Sequence, residues 1–410
     1  MSALQSEISF LTSAPSAASL SIRLCRTWLE LEPFLEDWNA LLGLRSSASI
    51  FQTPEWLSSW WQAYGAKKDL QTLIFSDAEC NVVGIAPMYV EPASVFGLPV
   101  KFLRMVGAGS GDSDALDFIT APGYEQFCAE TFLAWLVDES QCGLCALETL
   151  PQDSLVAQHI AIAAREMGMQ LYSETLPNFF VDLPSTWQEY LGGLQSSFRP
   201  LLTRYPKRLQ SRYRVRIARC EREEDLEANL QTLFALHQMR WTGQGEPGAF
   251  SSAERRDFYS RMSRSFLRRG WLEFWLLTLE DEIVAAQFCF RYGNTVYLLQ
   301  EGFHPKYAVE KIGYALRAHV LEDMIKAGAR RYDFLGGADA YKSKYGSRQG
   351  SYLTLRFGLT PRGRMHLGLQ QRKLQIKQWL KSNLPAPVLA LLRREKPQTA
   401  AGSRKNEAME

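Results

Sequence analysis

The sequence predicts an α/β (α+β) protein of two tandem halves, each a mixed, mainly antiparallel sheet flanked by helices. Three runs rich in aromatic and β-branched residues lie within 271–303, and the short turns 280–282 and 293–294 between them are typical of antiparallel hairpins. A segment with helical spacing and a short strand at 331–335 follow. The same order of elements precedes residue 183, which indicates a structural duplication.

The first half is predicted to begin with a strand at 21–27 and a helix at 28–44. A second helix is predicted within 51–65, because Thr53 is a suitable N-cap, Pro54 fits the first helical position and Gly65 ends the pattern. Strands are predicted at 70–75, 81–90, 100–106, 144–150 and 170–183, and further helices at 125–137 and 152–167. This order completes one α/β unit.

A glycine-rich loop at 107–118 carries Asp112, Asp114 and Asp117. Its glycines suggest a close approach to a ligand, but the spacing of a dinucleotide-binding loop is not present. Carboxylates without the calcium-loop pattern are a weak metal signal. We therefore favour a solvated turn with local side-chain bonding over a divalent-metal site, and no metal is expected.

The segment 187–213 has helical spacing that Pro200 and Pro206 interrupt, and the stretch from Arg199 to Arg222 is strongly basic. It is either a solvated arm or an anionic-ligand surface for CoA phosphate, nucleic acid or lipid. Helices at 224–240 and 253–270, the three strands, a helix through Leu316 and Met324, and a last strand at 352–359 form the second half.

These patterns divide the chain into five segments. They are a disordered leader at 1–20, a first half at 21–183, a basic helical linker arm at 184–225, a second half at 226–361 and a basic amphipathic, then disordered, tail at 362–410. The tail combines cations with Leu369, Ile376 and Trp379. It either lies peripherally on an anionic membrane or packs on the domain as a helix.

Composition limits the classes of function. A net charge of +2 does not favour a nucleic-acid partner for the chain as a whole. Seven scattered cysteines, with only Cys142 and Cys145 forming a CxxC pair, predict buried thiols in a reduced, cytoplasmic protein. No run approaches the roughly 18 apolar residues that a membrane span requires.

Several stretches together resemble the bacterial CelD-like proteins, which carry a BioF2-like acetyltransferase domain of the GNAT superfamily. In the first half these are Phe51 with Trp56, Trp60-Trp61 and Tyr64-Gly65, then GIAP at 84–87 and DFI at 117–119. In the second half they are SSFRPLLTRYPKRL, LFALHQMRW, GAFSS, WLEFWLLTLEDEIVAAQFCF, YDFLGG and YKSKYG, in the expected order. The resemblance covers roughly residues 21–360.

The resemblance implies two GNAT-like acyltransferase halves, as in FemAB-type peptidyltransferases, with acetyl-CoA or another acyl-CoA as donor substrate. Members often occur with exopolysaccharide or cellulose synthesis. The donor is expected between Gln300 and Ala315. The residues expected to bind it are Gln300, Gly302, Phe303, Lys311, Ile312, Gly313, Tyr314 and Ala315. Glu310 departs from the family loop, which has Arg or Gln there, and a carboxylate beside a pyrophosphate is unfavourable.

Acyl transfer to an amine needs a base for the ammonium proton and an acid for the leaving thiolate. Glu301 ends the third strand and is expected to be the base or an amine-orienting carboxylate, with Asp333 as the second candidate and Tyr341 as the acid. Trp56, Trp60, Trp241, Lys342 and Lys344 are expected to bind a small-molecule, glycan or peptide acceptor. Since the sequence shows no recognisable Ser-His-Asp or Cys-His set, direct transfer of the acyl group is favoured over a covalent enzyme intermediate.

Three functions therefore stay open. The first is an acyl-CoA-dependent N-acyltransferase, the second a FemAB-like transferase that uses aminoacyl-tRNA, and the third a non-catalytic accessory protein of polysaccharide synthesis.

Overall fold

The computed structural model describes residues 20–242, 248–337 and 340–383. The elements of the first half are β1 (Ser21–Cys25), α1 (Trp28–Leu31), α2 (Leu35–Gly43), α3 (Pro54–Tyr64), β2 (Asp69–Leu70), β3 (Thr72–Ser76), β4 (Val82–Ala86), β5 (Met88–Val95), β6 (Leu98–Met105), β7 (Ile119–Thr120), α4 (Glu125–Asp138), β8 (Leu144–Pro151), α5 (Leu155–Glu166) and β9 (Leu171–Asp182). Those of the second half are α6 (Trp187–Gly193), α7 (Arg199–Arg212), β10 (Val215–Arg219), α8 (Glu223–Thr242), α9 (Ala253–Arg269), β11 (Leu272–Leu279), β12 (Glu282–Tyr292), β13 (Thr295–Phe303), α10 (Ile312–Lys326), β14 (Arg331–Gly336), α11 (Ala340–Lys344), β15 (Arg348–Gly358) and α12 (Pro361–Asn383).

The capping residues predicted for α3 are confirmed. Thr53 accepts a hydrogen bond from the Trp56 amide at 3.3 Å, Pro54 opens the helix and Gly65 is its C-cap. The threonine satisfies one of the amides that a helix leaves unpaired at its N-terminus, and the proline lacks an N–H to leave unpaired. These local signals fix where α3 begins.

Two sheets form the framework. One has the strand order β1-β3-β4-β7, and the other has eleven strands in the order β10-β11-β12-β13-β14-β9-β15-β8-β6-β5-β2. The single strand expected at 81–90 is corrected by the structure, since β4 lies in the small sheet and β5 in the large one. Pro87 lies between them and has no N–H for a ladder, so the chain changes sheets there.

The two halves share one diagnostic pairing. In the first half β6 runs parallel to β8, with Phe102 opposite Leu144. In the second half β13 runs parallel to β14, with Thr295 opposite Arg331. Each parallel pair is joined by a crossover that contains a helix, α4 or α10, as a parallel connection requires. The matching topology supports the expected duplication.

The halves also exchange strands. β9 is the last element of the first half in sequence, yet its partners are β14 and β15 of the second half. β15 in turn pairs with β8 and β9 of the first half. The large sheet is therefore continuous across both halves.

The segment expected to be a basic linker arm packs on the second half. Leu202 and Leu209 of α7 are buried in the same apolar cluster as Leu316 of α10. The segment also contains β10, which pairs with β11 and places Val215 opposite Leu279. Its basic residues therefore lie on a surface of the second half.

The seven cysteines are free thiols, and all except Cys80 are buried. Burial raises the pKa of the Cys142 and Cys145 thiols, as expected for packed side chains in an apolar interior. Within the described ranges, no helix is both long and apolar enough to cross a bilayer.

Candidate functional site

A gap opens in the second half where two parallel strands separate. β13 and β14 pair from Thr295–Arg331 to Tyr297–Asp333. Beyond this point β14 shifts register against β9, and Leu335 takes a left-handed φ of +61° that is uncommon for a leucine. β13 meanwhile continues to Phe303 alongside β12. The sheet therefore splits beside the residues expected to hold the donor.

A caged arginine borders this gap. Arg317 of α10 is 4% exposed and forms an ion pair with Glu301 of β13. Its guanidinium lies 4.9 Å from the ring centroid of Tyr345, 5.2 Å from that of Tyr341 and 5.7 Å from that of Phe334. Burial acts to lower the pKa of Arg317, but the Glu301 carboxylate and the neighbouring tyrosines together outweigh it, so the pKa lies above its ordinary value. The arginine is charged and held on several sides.

This pairing bears on the role expected for Glu301. Protonation of Glu301 would leave the buried Arg317 guanidinium without its counter-charge, which is strongly unfavourable in the interior. A carboxylate in this position is a poor acceptor for a substrate proton. The geometry instead suits the orienting role that the sequence left open.

Asp333 has different surroundings. It is 6% exposed, and its Oδ1 accepts a hydrogen bond from the Leu335 amide at 2.7 Å. Burial, with a smaller contribution from the nearby Asp114 carboxylate, raises its pKa to about 7 against the opposing effects of the Leu335 amide, Arg331 and Lys342. A carboxyl that titrates near neutral pH at the start of the gap is suited to proton transfer.

Asp114 reaches this corner from the glycine-rich loop of the first half. Its Oδ2 accepts a hydrogen bond from the Gly336 amide at 2.7 Å, and the residue is 5% exposed. Carboxylates from both halves therefore meet at the end of β14. The loop was expected to be a solvated turn, and the burial of Asp112, Asp114 and Asp117, at 1%, 5% and 2% exposure, corrects that expectation.

The substrate-binding role expected for Trp56 and Trp60 is corrected, because both side chains are buried, at 0% and 1% exposure. The Trp56 indole donates to Ser113 Oγ at 2.9 Å, and that of Trp60 donates to Ser110 Oγ at 3.1 Å. Buried indole N–H groups need such acceptors. The two tryptophans thus anchor the loop that carries Asp114.

The other two aspartates of the loop have separate partners. Asp112 pairs with Arg255 and accepts a hydrogen bond from Tyr259. Asp117 pairs with Arg45 at 3.3 Å and accepts from Ser154 at 3.0 Å. Among the described residues, no group of three or more potential ligands is arranged to hold a metal ion.

Lys342 is directed inward, which corrects its expected contact with an anionic acceptor. It is 3% exposed, and its Nζ donates to the carbonyls of Leu335, Gly336 and Gly337 at 3.1–3.3 Å. An ammonium group has three protons, so these bonds fix the backbone after β14. Lys344 is exposed on α11 and remains available to an acceptor.

Two other expected residues take different places. Tyr341, the expected acid, is half-buried with its ring beside the Arg317 guanidinium. The side chain of Trp241 lies outside the described residues.

The N-terminus of α10 lies at the other side of the gap. Lys311 caps it with a left-handed φ of +53°. A Cβ built on Gly313 would meet only the Phe303 ring, at 3.7 Å, so protein packing does not require this glycine. The Tyr314 amide donates to the Lys311 carbonyl at 3.0 Å, which leaves the Ile312 and Gly313 amides at the start of the helix to favour an anion.

Two arginines of α7 compensate Glu310. Arg212 contacts the Glu310 carboxylate at 2.9 Å and Arg208 at 3.8 Å. The carboxylate that departs from the family loop is therefore neutralised, with one positive charge in excess before Lys311 is counted. The basic segment and the N-terminus of α10 form one cationic surface.

The remaining donor-binding candidates differ in what they offer a ligand. Ile312 and Ala315 are 1% and 2% exposed and belong to the core. Gly302 faces α8, where its Cβ would lie 2.8 Å from the His237 backbone nitrogen, so a packing requirement accounts for this glycine. Three others are half-buried along the gap, namely Gln300, Phe303 and Tyr314.

Sequence reasoning did not select Arg317, Tyr345 or Asp114 for the site. An arginine beside Leu316 in an otherwise apolar helical stretch is a signal, since a buried arginine needs a counter-charge. Asp114 had no comparable signal, because its partner lies 222 residues away.

Comparisons with known proteins agree with this architecture. Residues 196–343 match the family described as an acetyltransferase (GNAT) domain. The crystal structure of FemX is similar, with a TM-score of 0.57 and 11% identity over 78% of this chain and 95% of that chain. A conserved protein of unknown function from Bacteroides thetaiotaomicron VPI-5482 has a TM-score of 0.51 and 10% identity, over 82% of this chain and 99% of that chain.

No curated protein matches the chain. The predicted fold class, a mixed α/β fold with sheets flanked by helices, is confirmed, and the GNAT domain match lies in the second half. At these identities the similarity to solved structures concerns the fold alone. The GNAT domain match supports an acyltransferase.

Proposed function

We propose that the protein transfers an acyl group from an acyl-CoA, such as acetyl-CoA, to an amine. The observation that carries this proposal is the gap between β13 and β14, with Asp333 where the strands separate and a cationic helix N-terminus opposite. The gap offers a proton acceptor. The surface formed by Arg208, Arg212, Lys311 and the α10 amides offers sites for phosphate groups.

The residues of the site divide the chemistry. The amine nitrogen attacks the thioester carbonyl carbon, and Asp333 accepts the proton that the nitrogen loses. As the bond between the carbonyl carbon and sulfur breaks, Tyr341 donates its hydroxyl proton to the departing sulfur. Glu301, held by Arg317, helps to orient the amine, and Lys344 contributes positive charge for an anionic acceptor. The acyl group passes directly from the donor to the acceptor, without a covalent enzyme intermediate.

Donor binding is tested by titrating acetyl-CoA into the full chain by calorimetry. The variant Arg208→Gln/Arg212→Gln is expected to bind about tenfold more weakly, because two charge-assisted contacts to phosphate are lost. Arg261→Gln is the matched control, since Arg261 is equally exposed on α9 and pairs with Asp257. If the chain does not bind acetyl-CoA at millimolar concentration, the donor assignment is wrong.

Catalysis is tested by following free thiol release from acetyl-CoA with a panel of amino sugars and peptide amines. Asp333→Asn is expected to lower turnover by roughly 10²–10⁴-fold while leaving donor affinity unchanged, since an amide cannot accept the proton. Glu301→Gln is expected to raise KM for the amine more than it lowers kcat. The opposite pattern would make Glu301 the base.

The resemblance to CelD-like proteins supports an acceptor from exopolysaccharide or cell-envelope biosynthesis. A second candidate is a FemAB-like transferase that takes an aminoacyl group from tRNA. It is favoured by the exposed cations that continue from α7 into β10, including Arg204, Lys207 and Arg216. Filter binding of tRNA with a steep dependence on salt would support it. Acetyl-CoA binding without tRNA binding would exclude it, and binding of neither would favour a non-catalytic accessory role.

A further inference from the structure

α12 presents apolar side chains on two opposite faces. On the protein side, Leu367 is 7% exposed and packs with Val95 and Leu144. On the solvent side, Met365, Leu369 and Ile376 are 54%, 41% and 58% exposed. With Trp379, 62% exposed, they recur at spacings of four, seven and three residues, which keeps them on one face of a helix. We call these four residues the outer stripe.

The turn between β5 and β6 extends this apolar surface. Phe96 and Leu98 are 52% and 43% exposed at its tip. The Phe96 ring lies 5.9 Å from the His366 ring of α12, and Val95 packs beneath Leu367. The tip and the outer stripe therefore lie at the same edge of the molecule. Clustered exposed apolar residues mark an interaction site more often than single ones do.

The charged residues of α12 itself all have one sign. The helix sequence contains no aspartate or glutamate, whereas the whole chain is nearly balanced at a net charge of +2. The exposed cationic residues of α12 whose side chains are described are Arg362, Arg364, Arg372 and Lys373. Aliphatic residues and a tryptophan flanked by cations match the interface of an anionic bilayer. A single-stranded nucleic acid would instead require a row of aromatic stacking partners.

We propose that α12 and the β5–β6 tip dock the protein on an anionic lipid surface. The helix lies in the interfacial plane, with the outer stripe among the acyl chains and the arginines at the headgroups. Docking leaves the buried face of α12 on the domain, so the fold does not change. The proposal is independent of the acyl transfer proposed above.

The test is co-sedimentation of the full chain with two kinds of vesicle. One kind contains equal parts of phosphatidylcholine and phosphatidylglycerol, and the other contains phosphatidylcholine alone. The chain is expected to pellet with the first kind only, and less so at high salt. Leu369→Ser/Ile376→Ser is expected to lower the partition coefficient by at least tenfold, because two large apolar side chains no longer leave water. Arg372→Gln/Lys373→Gln is expected to lower it by roughly tenfold to thirtyfold.

Ile162→Ser is the matched control, because Ile162 is a half-exposed helical isoleucine on α5. It is expected to leave partitioning unchanged. The proposal is overturned if the chain does not pellet with anionic vesicles, or if the control weakens partitioning as much as the stripe variant does. It is also overturned if light scattering shows a dimer that the stripe variant dissociates, since the stripe would then join two copies of the chain. Thermal unfolding by circular dichroism verifies that each variant is folded.

Discussion

Arg317 of α10 and Glu301 of β13 form an ion pair that ties a helix to the strand beside the gap. The arginine side chain is 5% exposed and that of the glutamate 22%. Removing one partner of such a pair leaves a buried charge without compensation.

We expect Glu301→Gln to lower the free energy of unfolding by about 3 kcal/mol, the cost typical of breaking a buried pair. Glu301→Leu/Arg317→Met should recover more than half of that loss, because no charge is left in the interior. Urea unfolding of the wild type, of Glu301→Leu, of Arg317→Met and of the double variant provides the measurement. Strictly additive losses would show that the pair is not coupled.

The raised pKa of Asp333 predicts how stability depends on pH. The folded protein holds a proton on Asp333 up to a pH of about 7, whereas the unfolded chain releases it near the ordinary value of 3.8. Between these pH values the folded state binds more protons, so stability falls as the pH rises. The loss is at most on the order of 4 kcal/mol, since one pKa unit corresponds to about 1.4 kcal/mol.

Asp333→Asn removes this loss, because the amide never ionises and its oxygen still accepts from the Leu335 amide. We expect the variant to be more stable than the wild type at pH 8 and similar to it at pH 4. Melting temperatures recorded across this range compare the two proteins. A difference in melting temperature that is the same at all pH values would contradict the raised pKa of Asp333.

Gly302 and Gly313 provide a matched pair of glycine substitutions. Gly302→Ala places a Cβ 2.8 Å from the His237 backbone nitrogen, so β13 or α8 must move, at a cost of roughly 1–3 kcal/mol. Gly313→Ala meets only Phe303 at 3.7 Å and lies in a helix, where alanine is favoured by up to about 1 kcal/mol.

We therefore expect urea unfolding to show that Gly302→Ala lowers the free energy of unfolding, whereas Gly313→Ala raises it. If phosphate groups bind at the α10 N-terminus, Gly313→Ala should also weaken acetyl-CoA binding in a fully stable protein. Unchanged donor affinity in this variant would place the phosphates elsewhere.

The exchange of β9 and β15 makes the halves depend on each other. A fragment spanning 20–183 contains β9 but neither of its partners, β14 and β15. We expect this fragment alone to lack a cooperative thermal transition, and to recover one when the fragment spanning 184–410 is expressed with it. Cooperative unfolding of the first fragment by itself would show that β9 pairs differently there.

The sequence predicted local features well and non-local ones poorly. The limits of α3 follow from Thr53, Pro54 and Gly65, which act on the backbone beside them. The partners of β9 could not be inferred, because strand pairing between distant segments leaves no local pattern. The same limit applies to the site. Asp333 could be selected from the sequence as an acidic residue on a closing strand. The aromatic rings around Arg317 could not, because they come from several elements.

The late position of β15 in the chain has a consequence for synthesis on the ribosome. β8 and β9 emerge long before Arg348–Gly358, the strand that lies between them in the finished sheet. During translation, both nascent strands expose backbone edges that are prone to pairing with other chains. We expect the growing chain to depend on chaperones until β15 leaves the exit tunnel.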